Sequence, residues 1–241
     1  MPRDLAHDRE LLRSLHVPGD PLLLPNAWDV ASAKAVAAAG FPVVATTSAG
    51  VAGALGYEDH QGAPAEEMLA AAARIARSVS VPVTVDAEAG YGLDPPALVE
   101  ALRDAGAAGC NLEDTDHAAG ELRDPAEQAT WVAAVRAADE SLVINARVDS
   151  ADLAEAVDRA TAYVEAGADC VYPIFLADAA AIEEFVHAVD APVNALVRPD
   201  APPLARLAEL GVARLSYGPY VFRRAMDELE RLLRSIHQQE G

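Results

Sequence analysis

The sequence predicts an α/β fold, namely a (β/α)8 barrel of the TIM type that occupies residues 1–241 as a single domain. Three observations support this prediction. Short apolar or β-branched runs recur eight times along the chain. Helical patterns, with apolar residues three and four positions apart, separate these runs. Eight alternating units in 241 residues also match the usual length of such a barrel, about 250 residues.

The predicted strands alternate with helices whose starts are marked by caps, such as Asp94 before Pro95 and Asp124 before Pro125. An open doubly wound sheet is the alternative, but the sequence lacks the glycine pattern that would follow the first strand of a dinucleotide-binding sheet. In chain order, the predicted strands are Leu22–Pro25, Val43–Thr47, Val83–Asp86, Gly109–Glu113, Leu142–Arg147, Cys170–Pro173, Val193–Leu196 and Arg214–Ser216.

The chain is strongly acidic, with a formal net charge of −20. This charge argues against nucleic acid and anionic membrane surfaces as partners, because both require a basic protein surface. Cys110 and Cys170 are too few for a disulfide framework. Residues Met1–Gly19 lack the apolar stretch of a signal peptide. We therefore expect a cytoplasmic protein whose partner is a small molecule.

Acidic residues gather after the third and fourth predicted strands, where the active site of such a barrel lies. Because alternate strand residues point the same way, Asp86 and Glu88 can face one cavity, with Glu113 from the neighbouring strand. Converging carboxylates repel one another, and a divalent cation removes this conflict. Mg²⁺ prefers oxygen ligands, and Mn²⁺ would also suit them. We predict a metal site at these three residues; solvated strand-end acids are the alternative.

Arg147, at the end of the fifth predicted strand, is the candidate clamp for an anionic substrate, because its planar fork can hold a carboxylate through two hydrogen bonds. A structural ion pair with Glu113 or Asp149 is the alternative. Ser48 and its small neighbours offer hydroxyl and backbone N–H groups to a carboxylate. The predicted substrate-binding residues are Thr47, Ser48, Ala49, Gly50, Gly90, Asn111, Arg147 and Asn194.

Several motifs stand at the predicted strand ends, and the most specific are Thr47–Gly50, Leu55–Asp59, Asp86–Gly92, Asn111–Asp114 and Asn145–Arg147. Over nearly its whole length the chain resembles the isocitrate lyase and phosphoenolpyruvate mutase superfamily. The resemblance implies that Asp86 binds Mg²⁺ directly, and that Asp59, Glu88 and Glu113 hold metal-bound waters. It also implies that Ser48, neighbouring backbone amides and Arg147 bind the substrate carboxylate.

The resemblance implies chemistry at a C–C or P–C bond next to a 2-oxo acid. The chain departs from it in two places. Glu88 stands where aspartate is usual, and residues 115–123 contain neither the cysteine of the lyases nor the lysine of the mutases. His117 is the residue of this segment that could act as acid or base, since its ordinary pKa lies near neutrality. A surface histidine is the alternative. The candidate catalytic residues are thus Asp59, Arg147 and His117.

The leading hypothesis is a Mg²⁺-dependent lyase or decarboxylase that cleaves a C–C bond in a small 2-oxo or 2-hydroxy (di)carboxylate, such as an oxaloacetate-like acid. A P–C hydrolase of the phosphonopyruvate type and a non-catalytic metabolite-binding barrel are the alternatives. The predicted last helix, from Tyr220 to Ile236, has a wide apolar face. The resemblance implies its exchange between subunits of a homodimer or homotetramer; packing on its own barrel is the alternative.

Overall fold

The computed structural model describes residues 4–239 of the chain. Helices and strands alternate through most of this range, in the following order: α1 (Leu5–Ser14), β1 (Leu22–Leu24), β2 (Asn26–Ala27), α2 (Val30–Ala38), β3 (Val44–Thr46), α3 (Ser48–Leu55), α4 (Ala65–Ser78), β4 (Val83–Asp86), α5 (Pro95–Ala105), β5 (Gly109–Glu113), β6 (Thr115–Asp116), β7 (Glu121–Leu122), α6 (Pro125–Ala138), β8 (Val143–Val148), α7 (Leu153–Glu165), β9 (Cys170–Pro173), α8 (Ala179–Ala188), β10 (Asn194–Leu196), α9 (Leu204–Glu209), β11 (Arg214–Ser216) and α10 (Tyr220–Gln239).

Apart from the antiparallel pair β6 and β7, the strands form parallel sheets, which confirms the predicted α/β fold. One sheet has the order β2-β3-β4-β5-β8-β9, and a second has the order β1-β11-β10. Val171 in β9 forms a parallel bridge with Val193, directly before β10. Pro25 alone separates β1 from β2, because proline has no N–H to donate to a ladder. Each predicted strand overlaps an observed strand.

Helix α1 is an element that the sequence analysis did not predict. Leu12 of this helix is fully buried in a cluster with Leu24, Val43 and Val143. Gly109 allows this approach, because a Cβ atom there would lie 2.6 Å from the Val143 carbonyl oxygen and 2.8 Å from Leu12. The helix therefore packs on the side of the sheet where β5 and β8 begin.

The main core lies between the strands and the inner faces of the helices. Leu98 and Leu102, one turn apart on α5, are fully buried in one cluster with Val85, Leu112 and Ile144 from three strands. Complete burial of a leucine side chain contributes about 2 kcal/mol. These contacts fix the strands whose carboxyl ends carry the polar residues.

A buried polar cluster ties the end of β5 to α7 and to the end of β8. Asp114 is fully buried, and its Oδ2 accepts hydrogen bonds from Tyr163 Oη at 2.7 Å and Arg159 Nη1 at 3.2 Å. Its Oδ1 accepts one from the Asp149 backbone N–H at 2.9 Å. Arg159 Nη1 also donates to the Arg123 carbonyl at 2.9 Å. The cluster therefore holds both ends of the segment that follows β5.

Helix α10 touches the rest of the chain through its first turns. The ring of Phe222 meets that of Trp28 edge to face, with centroids 5.3 Å apart. Residues 226–238 are all exposed, so packing on its own chain does not account for the apolar face of this helix. Within residues 4–239, none of the helices combines the length and the apolar character that crossing a membrane would require.

We expect Asp114→Ala to lower the free energy of unfolding by about 3 kcal/mol, because it removes the carboxylate that pairs with a buried guanidinium and accepts a hydrogen bond from a buried phenol. This loss of stability is at the low end of what breaking a buried ion pair usually costs, because Arg159 keeps its ion pair with Glu155. Glu209→Ala is the control: it breaks an exposed pair with Arg206 and should cost less than about 1 kcal/mol. Urea unfolding followed by circular dichroism measures both; equal losses would contradict this role for Asp114.

Candidate active site

A cavity of about 260 Å³ opens at the carboxyl ends of the parallel strands. Its wall combines acids, arginines, amides and aromatic side chains that come from distant parts of the chain. Seven of the predicted site residues line it, namely Thr47, Ser48, Ala49, Asp59, Asp86, Asn111 and Arg147. The topology thus brings together residues that are up to 100 positions apart (Thr47 to Arg147).

Asp86 ends β4 and lies in the cavity wall. Its Oδ2 accepts a hydrogen bond from the Ser48 backbone N–H at 3.0 Å, and Thr46 Oγ1 accepts one from the Asp86 backbone N–H at 2.8 Å. Burial and the nearby Glu113 raise the pKa of Asp86, while Arg147 opposes this rise. The side chain is therefore fixed in place, in surroundings that disfavour its negative charge.

Glu88, Glu113 and His117 form a second group beside the cavity, and each offers a ligand atom within 4.8 Å of the others. The alternation expected for Asp86 and Glu88 does not apply, because β4 ends at Asp86 and Glu88 has a φ of 47°. Glu88 is instead buried and accepts a hydrogen bond from the Gln61 backbone N–H. Burial, followed by the charge of Asp86, raises the pKa of Glu88 to about 8.

Arg147 binds two acids and also reaches the cavity. Its Nε and Nη2 donate to Asp149 at 2.6 and 2.9 Å, and its Nη1 pairs with Glu113. The structural ion pairs that were the alternative are thus present. A guanidinium has five N–H groups, so two remain free after these contacts. Arg147 can therefore keep both pairs and still bind an anionic ligand.

Residues 115–122 form a short antiparallel hairpin of β6 and β7. Asp116 stabilises its turn by accepting hydrogen bonds from the N–H groups of Ala118 and Ala119. The hairpin places Nε2 of His117 on Glu113, and this bond raises the pKa of His117. The His117 side chain is only 12% exposed, so the surface alternative is wrong for this histidine. The ring of His60 lies 5.0 Å away.

The backbone around the acids is strained. Among the residues that the structure describes, the non-glycine residues with positive φ are His60 at 65°, Gln61 at 59°, Glu88 at 47° and Tyr91 at 56°. This conformation costs roughly 1–2 kcal/mol for a residue with a Cβ atom. Tyr91 Oη donates to the Asp86 carbonyl at 3.1 Å, which ties one strained residue to the site. Such strain is typical of functional sites.

Three predicted substrate-binding residues do not line the cavity. A Cβ atom on Gly50 would lie 2.9 Å from Trp28, and one on Gly90 would lie 2.7 Å from Trp131. Both glycines thus allow close packing against a tryptophan. Asn194 is fully buried and donates to Ser216 Oγ at 3.1 Å. The contacts of these three residues are with the protein itself.

The cavity wall also contains cations that the sequence analysis did not assign to the site. Arg198 follows β10, where Asp200 accepts two of its hydrogen bonds at 2.7 and 2.9 Å. Arg223 belongs to the first turns of α10. The position of Arg198 after a predicted strand was a usable signal. No sequence signal assigned Arg223 to the site, because the sequence does not show that α10 begins over the cavity.

Comparison with known proteins identifies the family. A sequence model described as phosphoenolpyruvate phosphomutase matches residues 12–237. The chain belongs to this family. It is therefore a member of the isocitrate lyase and phosphoenolpyruvate mutase superfamily, and the resemblance seen in the sequence is confirmed.

Relatives of this family member carry several names. A Mycobacterium tuberculosis H37Rv protein, named as uncharacterized, is 37% identical over 238 residues, covering 92% of this chain and 91% of the relative. The 2-methylisocitrate lyase of Escherichia coli K12 is 31% identical, with 95% and 87% covered. A Burkholderia cenocepacia J2315 crystal structure, provisionally described as a phosphonomutase, is 41% identical with a TM-score of 0.90, covering 95% of this chain and 99% of that one. The superfamily thus contains C–C lyases and mutases.

The donor set of this phosphoenolpyruvate phosphomutase family member fits a hard divalent cation. Asp59 lines the cavity and has a buried Oδ1 without a hydrogen-bond partner. Asp59 and Glu113 both contribute to the raised pKa of Asp86 and of Glu88. A cation among these oxygens would offset their repulsion, and carboxylate oxygens are the ligands that Mg²⁺ prefers. The imidazole of His117 would suit a softer ion.

We expect the affinity for Mg²⁺ to rise with pH, by up to about tenfold per unit below pH 8, because a carboxyl group must lose its proton before it binds a metal. The sign follows from the raised pKa of Glu88, about 8, which keeps this group protonated at pH 6 to 7. Glu88→Gln should weaken binding and flatten the pH dependence. Glu121→Gln, at an exposed hairpin position, is the matched control. Calorimetric titration at several pH values measures both, and a pH-independent affinity of the native chain would contradict the expectation.

Proposed function

We propose that the chain is a Mg²⁺-dependent carbon–carbon lyase or decarboxylase for a small 2-oxo or 2-hydroxy (di)carboxylate, such as an oxaloacetate-like acid. The observation that carries the proposal is the convergence of Asp59, Asp86 and Arg147 on one cavity of about 260 Å³. Acids for a cation and a guanidinium for a carboxylate are the two components that chelation of an oxo acid requires. The volume suits a metabolite rather than a large ligand.

The proposal includes closure of the parallel strands into a (β/α)8 barrel. Two observations support closure: the bridge between Val171 and Val193 connects β9 with β10, and a single residue, Pro25, separates β1 from β2. In the resulting ring, β4 and β5 lie opposite β10 and β11. The acids would then face Arg198 and the start of α10 across the cavity.

Asp86 would bind the cation, with Asp59, Glu88 and Glu113 around it. When bound, Mg²⁺ supplies Lewis-acid stabilisation of negative charge on an oxygen of the substrate. The protein holds Asp86 ready for this role through the N–H of Ser48, which fixes one carboxylate oxygen at 3.0 Å. A preorganised ligand needs no rearrangement when the charge develops.

Substrate orientation falls to Arg147 and its neighbours. Its ion pairs with Glu113 and Asp149 fix the plane of the guanidinium, so the two remaining N–H groups are already aimed before a ligand enters. A carboxylate can accept both in the bidentate geometry typical of arginine. Asn111, on the neighbouring strand β5, lines the same cavity and offers a further polar contact. Binding of this kind holds the scissile bond in one orientation.

Proton transfer would involve His117. Its Nε2 forms a hydrogen bond with Glu113, and this bond raises the pKa of the imidazole, so the ring remains protonated at higher pH than a free histidine. His60 lines the cavity and lies beside His117. The two rings therefore connect the buried acids with the space in which a substrate would lie.

A P–C hydrolase of the phosphonopyruvate type is the second candidate, and the 41% identity to the provisional phosphonomutase supports it. A non-catalytic metabolite-binding barrel is the third, since the hairpin of residues 115–122 contains neither cysteine nor lysine. Purified protein incubated with oxaloacetate, phosphonopyruvate, malates or methylisocitrates, with and without Mg²⁺, distinguishes the three. Release of phosphate identifies the second candidate, and binding without turnover identifies the third.

We expect Asp86→Ala to lower kcat/KM on the substrate found in this screen by at least about a hundredfold, because it removes the ligand that positions the electrophilic centre. Glu100→Gln, at an exposed position of α5, should retain native kinetics. Steady-state assays at saturating Mg²⁺ compare the two variants. Full activity of Asp86→Ala would show that the chemistry lies elsewhere.

The proposal extends to a homodimer or homotetramer in which α10 packs on another copy of the chain, with or without exchange. The supporting observation is a stripe of large apolar side chains on one face of the helix, which are 39–55% exposed: Met226, Leu229, Leu232, Leu233 and Ile236. Monomeric proteins rarely expose continuous apolar patches of this kind. Their spacing of three and four residues places them on one side.

Leu233→Lys should shift the chain toward a smaller assembly, because it buries a charge in the proposed contact. Ser235→Lys introduces the same side chain outside the stripe, at another exposed position of α10, and should leave the assembly unchanged. Size-exclusion chromatography with light scattering determines the mass of each. A native chain that is monomeric at micromolar concentration would exclude this part of the proposal.

A further inference from the structure

Among the described residues, Arg214 has the largest side chain that is fully buried. No carboxylate within residues 4–239 forms an ion pair with it, and its Nη1 has no hydrogen-bond partner. A guanidinium stays protonated in proteins, although burial lowers the pKa of Arg214. A buried charge without an ion-pair partner is unfavourable for folding, although Asp86 attracts this one from a distance. The position of this cation therefore calls for an explanation.

The contacts of Arg214 point toward the cavity. Its Nη2 donates to Asn111 Oδ1 at 3.0 Å, and its Nε donates to Ser216 Oγ at 3.4 Å. Both acceptors line the cavity. Arg214 precedes Ser216 by two residues in β11, so the two side chains share one face of the strand. The guanidinium thus lies directly below the cavity floor formed by Asn111 and Ser216.

The orientation of the Asn111 amide follows from these contacts. Arginine only donates hydrogen bonds, so the Asn111 atom that faces Arg214 must be the carbonyl oxygen. The same oxygen accepts a second hydrogen bond, from Asn145 Nδ2 at 2.8 Å. Two donors on this oxygen leave the amide nitrogen on the other side of the group. The Asn111 NH₂ group therefore faces the cavity as a donor.

The Ser216 hydroxyl is oriented, like the Asn111 amide, so that it can donate a hydrogen bond into the cavity. Its Oγ accepts hydrogen bonds from Arg214 Nε and from Asn194 Nδ2, the latter at 3.1 Å. A hydroxyl group has two acceptor sites and one proton. With both acceptor sites occupied, the proton is the remaining hydrogen-bonding element, and it is free to point into the cavity. Asn194, which does not line the cavity, thus has a role, because it occupies one acceptor site of Ser216.

We propose that Arg214 is a positioning residue that makes the cavity floor donor-only, so that Asn111 and Ser216 both donate hydrogen bonds to a negatively charged oxygen of the ligand. The ligand class is an organic anion, with a carboxylate or enolate oxygen on the floor. Arg214 does not touch this ligand; it fixes the two donors and adds positive potential from below. The inference rests on the proposed function, because both concern the same cavity.

A purely structural role for Arg214 explains less. A network built for stability would satisfy its polar atoms, yet Arg214 Nη1, Asn145 Oδ1 and Asn194 Oδ1 are buried without partners. Arg214 instead directs its hydrogen bonds at Asn111 Oδ1 and Ser216 Oγ, the two groups that form the cavity floor. An anionic ligand would complete this network, because it would accept hydrogen bonds from Asn111 and Ser216 and place a negative charge above the buried guanidinium.

Oxalate is the probe for this inference, and its Kd is measured by calorimetry in Mg²⁺ with the full-length chain. Arg214→Met should weaken oxalate binding by about tenfold or more, since the Asn111 amide is then free to reverse. Arg214→Lys should restore affinity to within about threefold of native, because an ammonium group also donates only. Arg206→Met, at an exposed position of α9, is the control. A purely structural role would not produce this rescue.

Asn111→Asp keeps the inference testable if Arg214→Met does not fold. The aspartate can accept the hydrogen bonds of Arg214 and Asn145, but it presents an acceptor to the cavity. We expect a folded protein by circular dichroism whose oxalate binding is weakened by tenfold or more. Native affinity in folded Arg214→Met or Asn111→Asp, or no oxalate binding by the native chain, overturns the inference. Turnover in the substrate screen is scored separately, so failure of the proposed function is recognised independently.

Discussion

Mutual repulsion among carboxylates is the constraint on which the site depends. Glu113 lies close enough to raise the pKa of Asp86, and Asp86 in turn raises the pKa of Glu88. Arg147 offsets part of this repulsion but shares its charge with Asp149. The backbone that holds the acids is strained as well. Gln61 and Glu88 both adopt left-handed conformations, and the Gln61 backbone N–H donates a hydrogen bond to the Glu88 side chain. A divalent cation among these oxygens, as proposed, would offset the repulsion.

The sequence was sufficient for the strands, because β-branched runs and helix caps are local signals. Asp94 and Asp124 cap α5 and α6 as expected. Helix α1 was missed because its chain is mostly polar and only a few side chains, led by Leu12, anchor it. The hairpin of residues 115–122 was missed as well, since its strands have two residues each and leave no period to detect.

The same distinction applies to the site. Residues at strand ends could be predicted, because parallel topology alone brings Asp86, Asn111 and Arg147 to one place. Roles that depend on long-range packing could not. Gly90 resembles a ligand-binding glycine in the sequence, yet its missing Cβ accommodates Trp131. Arg214 has an ordinary place in the eighth predicted strand, and only the fold shows that no acid among residues 4–239 forms an ion pair with it.

The hairpin and the floor together restrict the chemistry that this cavity can support. Residues 115–122 contain neither cysteine nor lysine, so the proposed mechanism assigns proton transfer to His117, whose Nε2 contacts Glu113. The proposed donor-only floor and the proposed cation would together favour steps in which charge develops on oxygen. Loss of the 4-carboxylate of an oxaloacetate-like acid as CO₂ is such a step, because the electron pair of the broken C–C bond passes to the 2-oxo oxygen as an enolate without prior removal of a proton. Cleavage that begins with a strong base has fewer means here, since an arginine only donates and the Asn111 oxygen is already occupied by two donors.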